Sequence, residues 1–398
     1  MSGKIVVTGL GVISALGIGV EKNTNALLEG HSGIASIQYL KTRLCDQFVL
    51  GEVKYSNEEL KALLGIRPDE LVSRTALLAF MAGREAIEMS TLSSEEIKSC
   101  ALISGTTVGG MDLTESRVLG TDYYSEKELR KILSLHSCGD STEKMALFLG
   151  IEGFITTYST ACSSAANAIM MGARMIKSGR VDRVIAGGVD ALSCFTLNGF
   201  NSLMILDRNH CRPFDRSRAG LNLGEGAGFI VMEAEDNVKP GKALAYLSGY
   251  ANANDAHHQT ASSPEGIGAM LSMQKAIEIA GIGSNDVSYI NAHGTGTLNN
   301  DSSEARAIAN LFGKHVPPYS STKSLTGHAL GASGGIEAVF SIQSIVNQEL
   351  YAGLNFSLSD EDLDIKPLIQ NRKCEVKHVL SNSFGFGGNN STLIFSKV

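Results

Sequence analysis

Tryptophan is absent from the 398 residues and proline occurs only 7 times, a composition that disfavours disordered stretches and Pro-rich linkers. No run of like charge is long enough to form a tail. The net charge of −7 argues against nucleic acid or an anionic membrane surface as partner, because both attract basic faces. The seven cysteines, Cys45, Cys100, Cys138, Cys162, Cys194, Cys211 and Cys374, are odd in number, scattered, and contain no C-x-x-C. That pattern argues against a disulfide framework and a zinc site and suits reduced thiols of a cytoplasmic protein. The apolar stretch IVVTGLGVISALGIGV near the start carries four glycines. It falls short of the roughly 20 residues that span a bilayer and has no convincing cleavage site. A strand ending in a Gly-rich turn explains it better, so membrane insertion is not expected and the expected location is the cytoplasm. No G-x-x-x-x-G-K-[ST] occurs, nor a G-x-G-x-x-G placed as a dinucleotide loop requires, so phosphate-loop chemistry is not expected.

What the chain has in abundance is glycine, 43 residues, clustered in short apolar contexts where tight turns and close backbone approaches are expected. The length exceeds the usual single core, which points to two domains or fused halves. The polar stretch AEDNVKPGKA (234–243) divides the chain into 1–239 and 240–398. In the first half, strands are expected at 4–8, 101–104, 154–158, 183–188 and 228–233, and helices at 72–89, 142–149 and 163–178. In the second half, strands are expected near 244–250, 287–291, 378–382 and 393–397, and helices near 265–280, 303–312 and 331–347. This alternation implies an α/β fold with largely parallel sheets. The order strand, reactive turn, helix in the first half and a comparable glycine-rich turn into a helix, TGHALGASGGIEAVFSI, in the second hint at an internal duplication.

Chemistry gathers in four stretches. In STACSSAANAI (159–169), Cys162 sits among small residues where a helix begins, so its sulfur is approachable and helix-end N–H groups would favour a thiolate of lowered pKa. The plain alternative is a small buried residue in a packed turn. His293 lies in NAHGTGT and His328 in STKSLTGHALGASGG, both at sterically open element ends. Lys323 precedes His328, and Glu337 lies in the helix that follows. The stretch SNSFGFGGNNSTLIF supplies a glycine-rich turn whose backbone N–H groups can form half of an oxyanion hole. Together these fit acyl-thioester chemistry. A thiolate attacks a thioester carbonyl, and two neutral histidines steady the enolate left when a second thioester loses CO₂. No metal is needed for it.

TACSSA, NAHGTGT with the downstream NDSSE, STKSLTGHALGASGGIE and NSFGFGGNN occur in this order and resemble the elongating β-ketoacyl-[acyl-carrier-protein] synthases. The likeness runs from VVTGLGVISALG through RPFD (212–215) and GEGAG (224–228) to LIF near the end. It implies a thiolase-like fold of two related halves layered α-β-α-β-α, and a homodimer served by acyl- and malonyl-loaded acyl carrier protein. No cofactor is implied beyond the phosphopantetheine arm that the carrier brings. By resemblance, Cys162 is the acylated nucleophile, His293 and His328 assist malonyl decarboxylation, and Lys323 pairs with Glu337. Phe386 with Cys162 forms the oxyanion hole and gates the acyl tunnel. Thr295 and Thr297 hold the pantetheine arm, and Val108 and Phe200 line the acyl pocket.

Three departures concern partner and substrate. Arg218-Ala219-Gly220-Leu221 stands where the family usually has R-D-G-F. Met204 stands at a position where members commonly place a carrier-binding arginine. The helix after residue 70 keeps few basic residues, chiefly Arg74. These suit a ketosynthase of a specialised polyene or polyketide pathway as an alternative to bulk fatty-acid elongation. A non-catalytic, chain-length-setting subunit is disfavoured by the presence of Cys162. A thiolase would need a second cysteine where Phe384-Gly385-Phe386-Gly387-Gly388 stands. Chain-length preference is expected to depend on side chains near Met111 and the 112–140 segment.

Overall fold

The computed structural model describes residues 3–118, 125–363 and 365–398, with side chains omitted for 116–118; the 119–124 part of the 112–140 segment lies outside the described residues. The strands along the main path of the sheet are β1 (Ile5–Ser14), β2 (Ala101–Gly105), β3 (Ile155–Tyr158), β4 (Arg183–Asp190) and β5 (Gly226–Ala234) in the first half. The second half supplies β6 (Ala245–Asn254), β7 (Tyr289–Asn291), β8 (Tyr319–Ser320), β9 (His378–Gly385) and β10 (Asn389–Ser396). The helices that matter here are α1 (Arg74–Ser90), α2 (Cys138–Leu149), α3 (Ser164–Lys177) and α4 (Cys194–Ser202). They continue with α5 (Ile267–Ala280), α6 (Leu298–Phe312) and α7 (Ser333–Asn347).

Burial explains the layers. In α7 twelve of fifteen residues are buried, and in α3 eleven of fourteen, so neither helix has a solvent face and each must lie between sheets. Both do: Ile169 of α3 and Phe340 of α7 share one core with Val184, Met232, Tyr250 and Phe395. Strand residues alternate faces. Ile230 and Met232 of β5 look inward to that core, while Phe229 and Val231 look outward to Leu77 and Leu78 of α1. On the other side, Leu380 and Ile394 pack outward on Met273 and Ile277 of α5. The result is the layered α-β-α-β-α arrangement.

The strands run in the order β8-β7-β9-β10-β6-β1-β5-β4-β2-β3. Within the first half, β1–β5 and β5–β4 are antiparallel, whereas β4–β2 and β2–β3 are parallel. The second half repeats this, with β6–β10 and β10–β9 antiparallel and β9–β7 and β7–β8 parallel. The halves join where Val6 and Val7 of β1 pair antiparallel with Tyr246 and Ala245 of β6. One correction follows. The sheet is mixed rather than largely parallel, with five of nine pairings antiparallel, because each half feeds a long antiparallel pair into its middle. The duplication hinted at by a turn into a helix in each half is explicit in the connectivity.

Glycine does its work where α7 meets β5. A Cβ on Gly228 would lie 2.3 Å from the backbone carbon of Gly335, so helix and strand touch backbone to backbone and neither side can carry a methyl group. Gly228→Ala is expected to lower stability by about 1–3 kcal/mol through overpacking, read as a lower urea midpoint at unchanged slope.

Candidate active site

Each chemical residue stands at the C-terminal end of a strand. β3 runs into the turn that carries Cys162 just before α3, and Ala161 there takes a left-handed φ of 51°. That conformation is strained for a non-glycine residue and presents the next side chain sideways, under the helix start. β7 ends at Asn291 and His293 follows. β8 ends at Ser320, and a short helical turn, Lys323–Thr326, leads to His328 and then α7. Phe386 lies in the turn between β9 and β10. In the repeated topology β3–turn–α3 and β8–turn–α7 are counterparts, so Cys162 and His328 occupy twin positions.

The twins meet. His328 Nε2 lies 3.2 Å from Cys162 Sγ. On the other side of the ring, the Leu330 backbone N–H donates to Nδ1 at 3.1 Å and Ser333 Oγ lies 2.9 Å from it. A nitrogen that accepts carries no proton in the neutral ring, so the ring's proton is on Nε2 and points at sulfur. His293 repeats the logic. Lys323 Nζ lies 3.3 Å from its Nδ1 while donating to His293 O at 2.7 Å and to Glu337 Oε1 at 2.5 Å. Its Nε2–H therefore also faces the cavity. The two rings stand edge to face, centroids 5.3 Å apart.

Electrostatics keep both rings neutral. Burial, with Lys323 nearby, drives His328 and His293 well below the ordinary imidazole range. Cys162 departs from expectation. Its thiol is pushed up to about 11, because burial outweighs the pull of Lys323 and of the Phe386 and Cys162 N–H groups. The helix-end effect exists but loses to desolvation. Those same two N–H groups lie beside the sulfur, where the oxygen of a thioester formed on it would come within their reach.

Cys162, His293, His328, Thr295, Thr297, Phe200 and Phe386 line one cavity of about 270 Å³. The Phe200 and Phe386 rings stack across it at 5.9 Å, and Thr295 and Thr297 share a hydroxyl contact of 2.9 Å. Met204, 87% exposed, sits in the wall beside Ala219, Gly220 and Leu221. Lys323 and Glu337 stand behind His293, outside the cavity wall. Val108 is likewise outside that wall and packs in an apolar cluster with Leu192, Leu197, Leu330 and Phe200. Arg74 is corrected: it is buried, and its guanidinium binds Glu225 at 2.6–3.0 Å and the Val53 and Tyr55 carbonyls. It is therefore a structural ion pair and presents no charge to a partner.

Three buried carboxylates that hold the site were missed. Asp190 accepts Thr107 N–H and Gly331 N–H at 2.8 and 2.7 Å and both threonine hydroxyls at 106 and 107, tying the Val108 loop to the His328 loop. Glu304 accepts the His293 and Gly294 N–H groups, each at 2.8 Å. Asp301 accepts Thr295 N–H at 3.0 Å. Glu304 and Asp301 belong to the NDSSE stretch; nothing in the sequence around Asp190 marked it.

Cys162, His293 and His328 could also be read as a metal site, since their ligating atoms lie within 4.8 Å of one another. Metal-bound histidines donate their second ring N–H to an acceptor. Here both Nδ1 atoms face donors, Leu330 N–H and Lys323, so the set is arranged for hydrogen-bond donation into the cavity. It does not fit a metal.

Comparison with known proteins agrees across the chain. Residues 2–237 match the family described as Beta-ketoacyl synthase, N-terminal domain, and 244–357 its C-terminal domain. The chain is 33% identical to 3-oxoacyl-[acyl-carrier-protein] synthase 2 of Staphylococcus aureus (strain COL) over 99% of its own length and 98% of the relative's. Among solved structures it is similar to the ishigamide ketosynthase/chain length factor, with TM-score 0.91, 28% identity and full coverage of both chains. It also resembles a type II polyketide ketosynthase solved with its acyl-carrier protein, AntDE:AntF, with TM-score 0.88, 25% identity and full coverage of both.

The raised thiol fixes a prediction. A group of pKa about 11 ionises about tenfold more per pH unit below that value. Alkylation of Cys162 by iodoacetamide, followed by mass spectrometry, is therefore expected to keep rising from pH 7 to pH 10. A plateau near pH 7 would contradict the burial argument.

Proposed function

The chain belongs to the beta-ketoacyl synthase family, a condensing acyltransferase, and on that premise we propose how its residues divide the reaction. Cys162 takes the acyl group. Its sulfur attacks the thioester of an acyl carrier, the oxyanion rests on the Cys162 and Phe386 N–H groups, and the thiol proton leaves with the departing carrier thiol. Malonyl carrier then enters. As its C–CO₂⁻ bond breaks, the electron pair moves into the thioester, and the Nε2–H groups of His293 and His328 hydrogen-bond the enolate oxygen. The enolate carbon attacks the acyl-cysteine, CO₂ departs, and the released sulfur takes up one proton. Donation from two neutral rings is the observation that carries this reading, because an imidazolium would hand over its proton and quench the enolate.

Thr295 and Thr297, at the cavity wall, are placed for a pantetheine arm, and the stacked Phe200 and Phe386 for a gate. The acyl and malonyl groups are delivered by acyl carrier protein, which brings the only prosthetic group the reaction uses. Synthesis of fatty acids in the cytoplasm is the main reading. A specialised polyketide pathway is the second, supported by the likeness to the type II polyketide ketosynthase solved with its acyl-carrier protein and by exposed Met204 at the cavity wall. The intact Cys162–His328 contact supports a catalyst over a chain-length-setting subunit.

A homodimer is supported by β3, an edge strand paired on one side only. Ile155 there is 37% exposed and the adjoining Phe154 47%. An apolar edge left open invites a partner strand, and a second copy laid antiparallel would cover it. Light scattering should give twice the chain mass for the wild type and a shift toward monomer for Ile155→Lys.

His293→Ala and His328→Ala are expected to acylate at Cys162, read as an intact-mass adduct, while condensation falls by about 10²-fold or more. Cys162→Ala should give no adduct. Folded histidine variants that failed to acylate would refute the division of roles.

A further inference from the structure

On the far side of the apolar cluster from Cys162 lies a second hollow, of about 870 Å³, open to solvent at a rim that includes Lys41 and Glu58. Its wall carries Arg74, Glu225, Asp112 and Glu115. One apolar cluster connects the two hollows. Phe200, Ile205 and Leu221 of that cluster line the catalytic cavity, while Leu40 and Leu192 of the same cluster line the second hollow. Val108 and Met111 lie within it, and the residue after Met111 is Asp112.

Most charges in this wall have partners. Glu225 holds Arg74, and Glu115 accepts the Cys194 and Phe195 N–H groups at the start of α4, at 2.7 and 3.0 Å. Asp112 differs. Its Oδ2 accepts Arg74 N–H at 2.8 Å and the carboxyl lies beside Leu113 N–H, but Oδ1 is buried with no hydrogen-bond partner. A buried oxygen of this kind is costly unless a donor reaches it. Burial pushes the carboxyl up to about 6, so near neutral pH it is chiefly an anion, one of whose oxygens lacks a donor.

We propose that the second hollow receives the far end of the acyl chain held on Cys162, and that Asp112 selects chains ending in a hydrogen-bond donor, hydroxyl or ammonium. The inference rests on Cys162 being the acylated nucleophile. The middle of such a chain is apolar and matches the cluster it must cross, where half-buried Met111 and Phe200 have the torsional freedom to rotate aside. Its end meets an unpaired acceptor. A methyl end would leave Asp112 Oδ1 unpartnered, and a carboxylate end would face Asp112 and Glu115 with like charge.

The test loads wild-type protein with pantetheine thioesters and follows Cys162 acylation by intact mass. Butyryl serves as the short primer; decanoyl and dodecanoyl primers carry methyl, hydroxyl, ammonium or carboxylate ends. Among the long primers, donor-ended chains are expected to load about tenfold faster than methyl-ended ones, as one hydrogen bond to a charged group allows, and carboxylate-ended chains slowest. Asp112→Ala should erase both preferences. Asp112→Asn should keep the hydroxyl preference and lose the ammonium one. Butyryl loading should match wild type in both variants, which reports an intact fold and nucleophile. Equal loading of hydroxyl- and methyl-ended long primers by the wild type would overturn the proposal without any variant, as would a preference that survives Asp112→Ala. Failure of butyryl to acylate Cys162 would instead overturn the reading of the nucleophile.

Discussion

Leu330 donates its backbone N–H to Nδ1 of His328 at 3.1 Å, and Lys323 Nζ lies 3.3 Å from Nδ1 of His293. Reversing either contact, so that an acceptor stood behind the ring, would turn the proton to the back and leave a lone pair facing the cavity. That ring would then suit a metal or serve as a base. With donors behind them, both rings offer N–H to whatever negative charge develops between them. The neutral state follows from the same surroundings, since burial and Lys323 oppose any further proton. Much of the surrounding architecture serves to keep these two donors in place.

Keeping Lys323 there is expensive. It is buried with Glu337, whose carboxyl is itself pushed up to about 7 by burial. Buried ion pairs seldom repay their desolvation in stability, so the pair is best understood as positioning. Glu337 lies on α7, in the middle layer, and the backbone contact between Gly228 and Gly335 fixes that helix against β5. Asp190 and Glu304 clamp the loops bearing His328 and His293 in the same way, each through backbone N–H groups. Rigid supports on several elements hold the reacting groups to tolerances that a loop alone would not.

Much of this was legible in the residues. Hydrophobic runs bounded by glycine located the long strands because both faces of each are covered, which leaves continuous apolar stretches, and α3 and α7 showed in the helical spacing of their apolar residues. The four chemical stretches fell together as their order suggested. What failed to show was what depends on distant partners. The direction of strand pairing is not written in a strand's own composition, so a mixed sheet was taken for a parallel one. Arg74 looked like a surface charge because its partner, Glu225, lies far away in sequence. The Cys162 thiol was judged from its helix end, whereas the enclosing cavity, assembled from β7, β9 and α4 as well, decides its pKa. Asp190 carried no local signal; its role exists only once residues 106–107 and 331 are brought to it.

The repeated topology has a consequence for how such a catalyst could arise. An assembly of two identical halves would be compelled to place the same side chain at both twin positions, thiol facing thiol or imidazole facing imidazole. Writing both halves into one polypeptide lifts that symmetry: each half is encoded once and can diverge alone. A reaction that joins two unlike partners, one parked on sulfur and the other stripped of a carboxylate, needs that inequality across its cleft, and here it is present at Cys162 and His328.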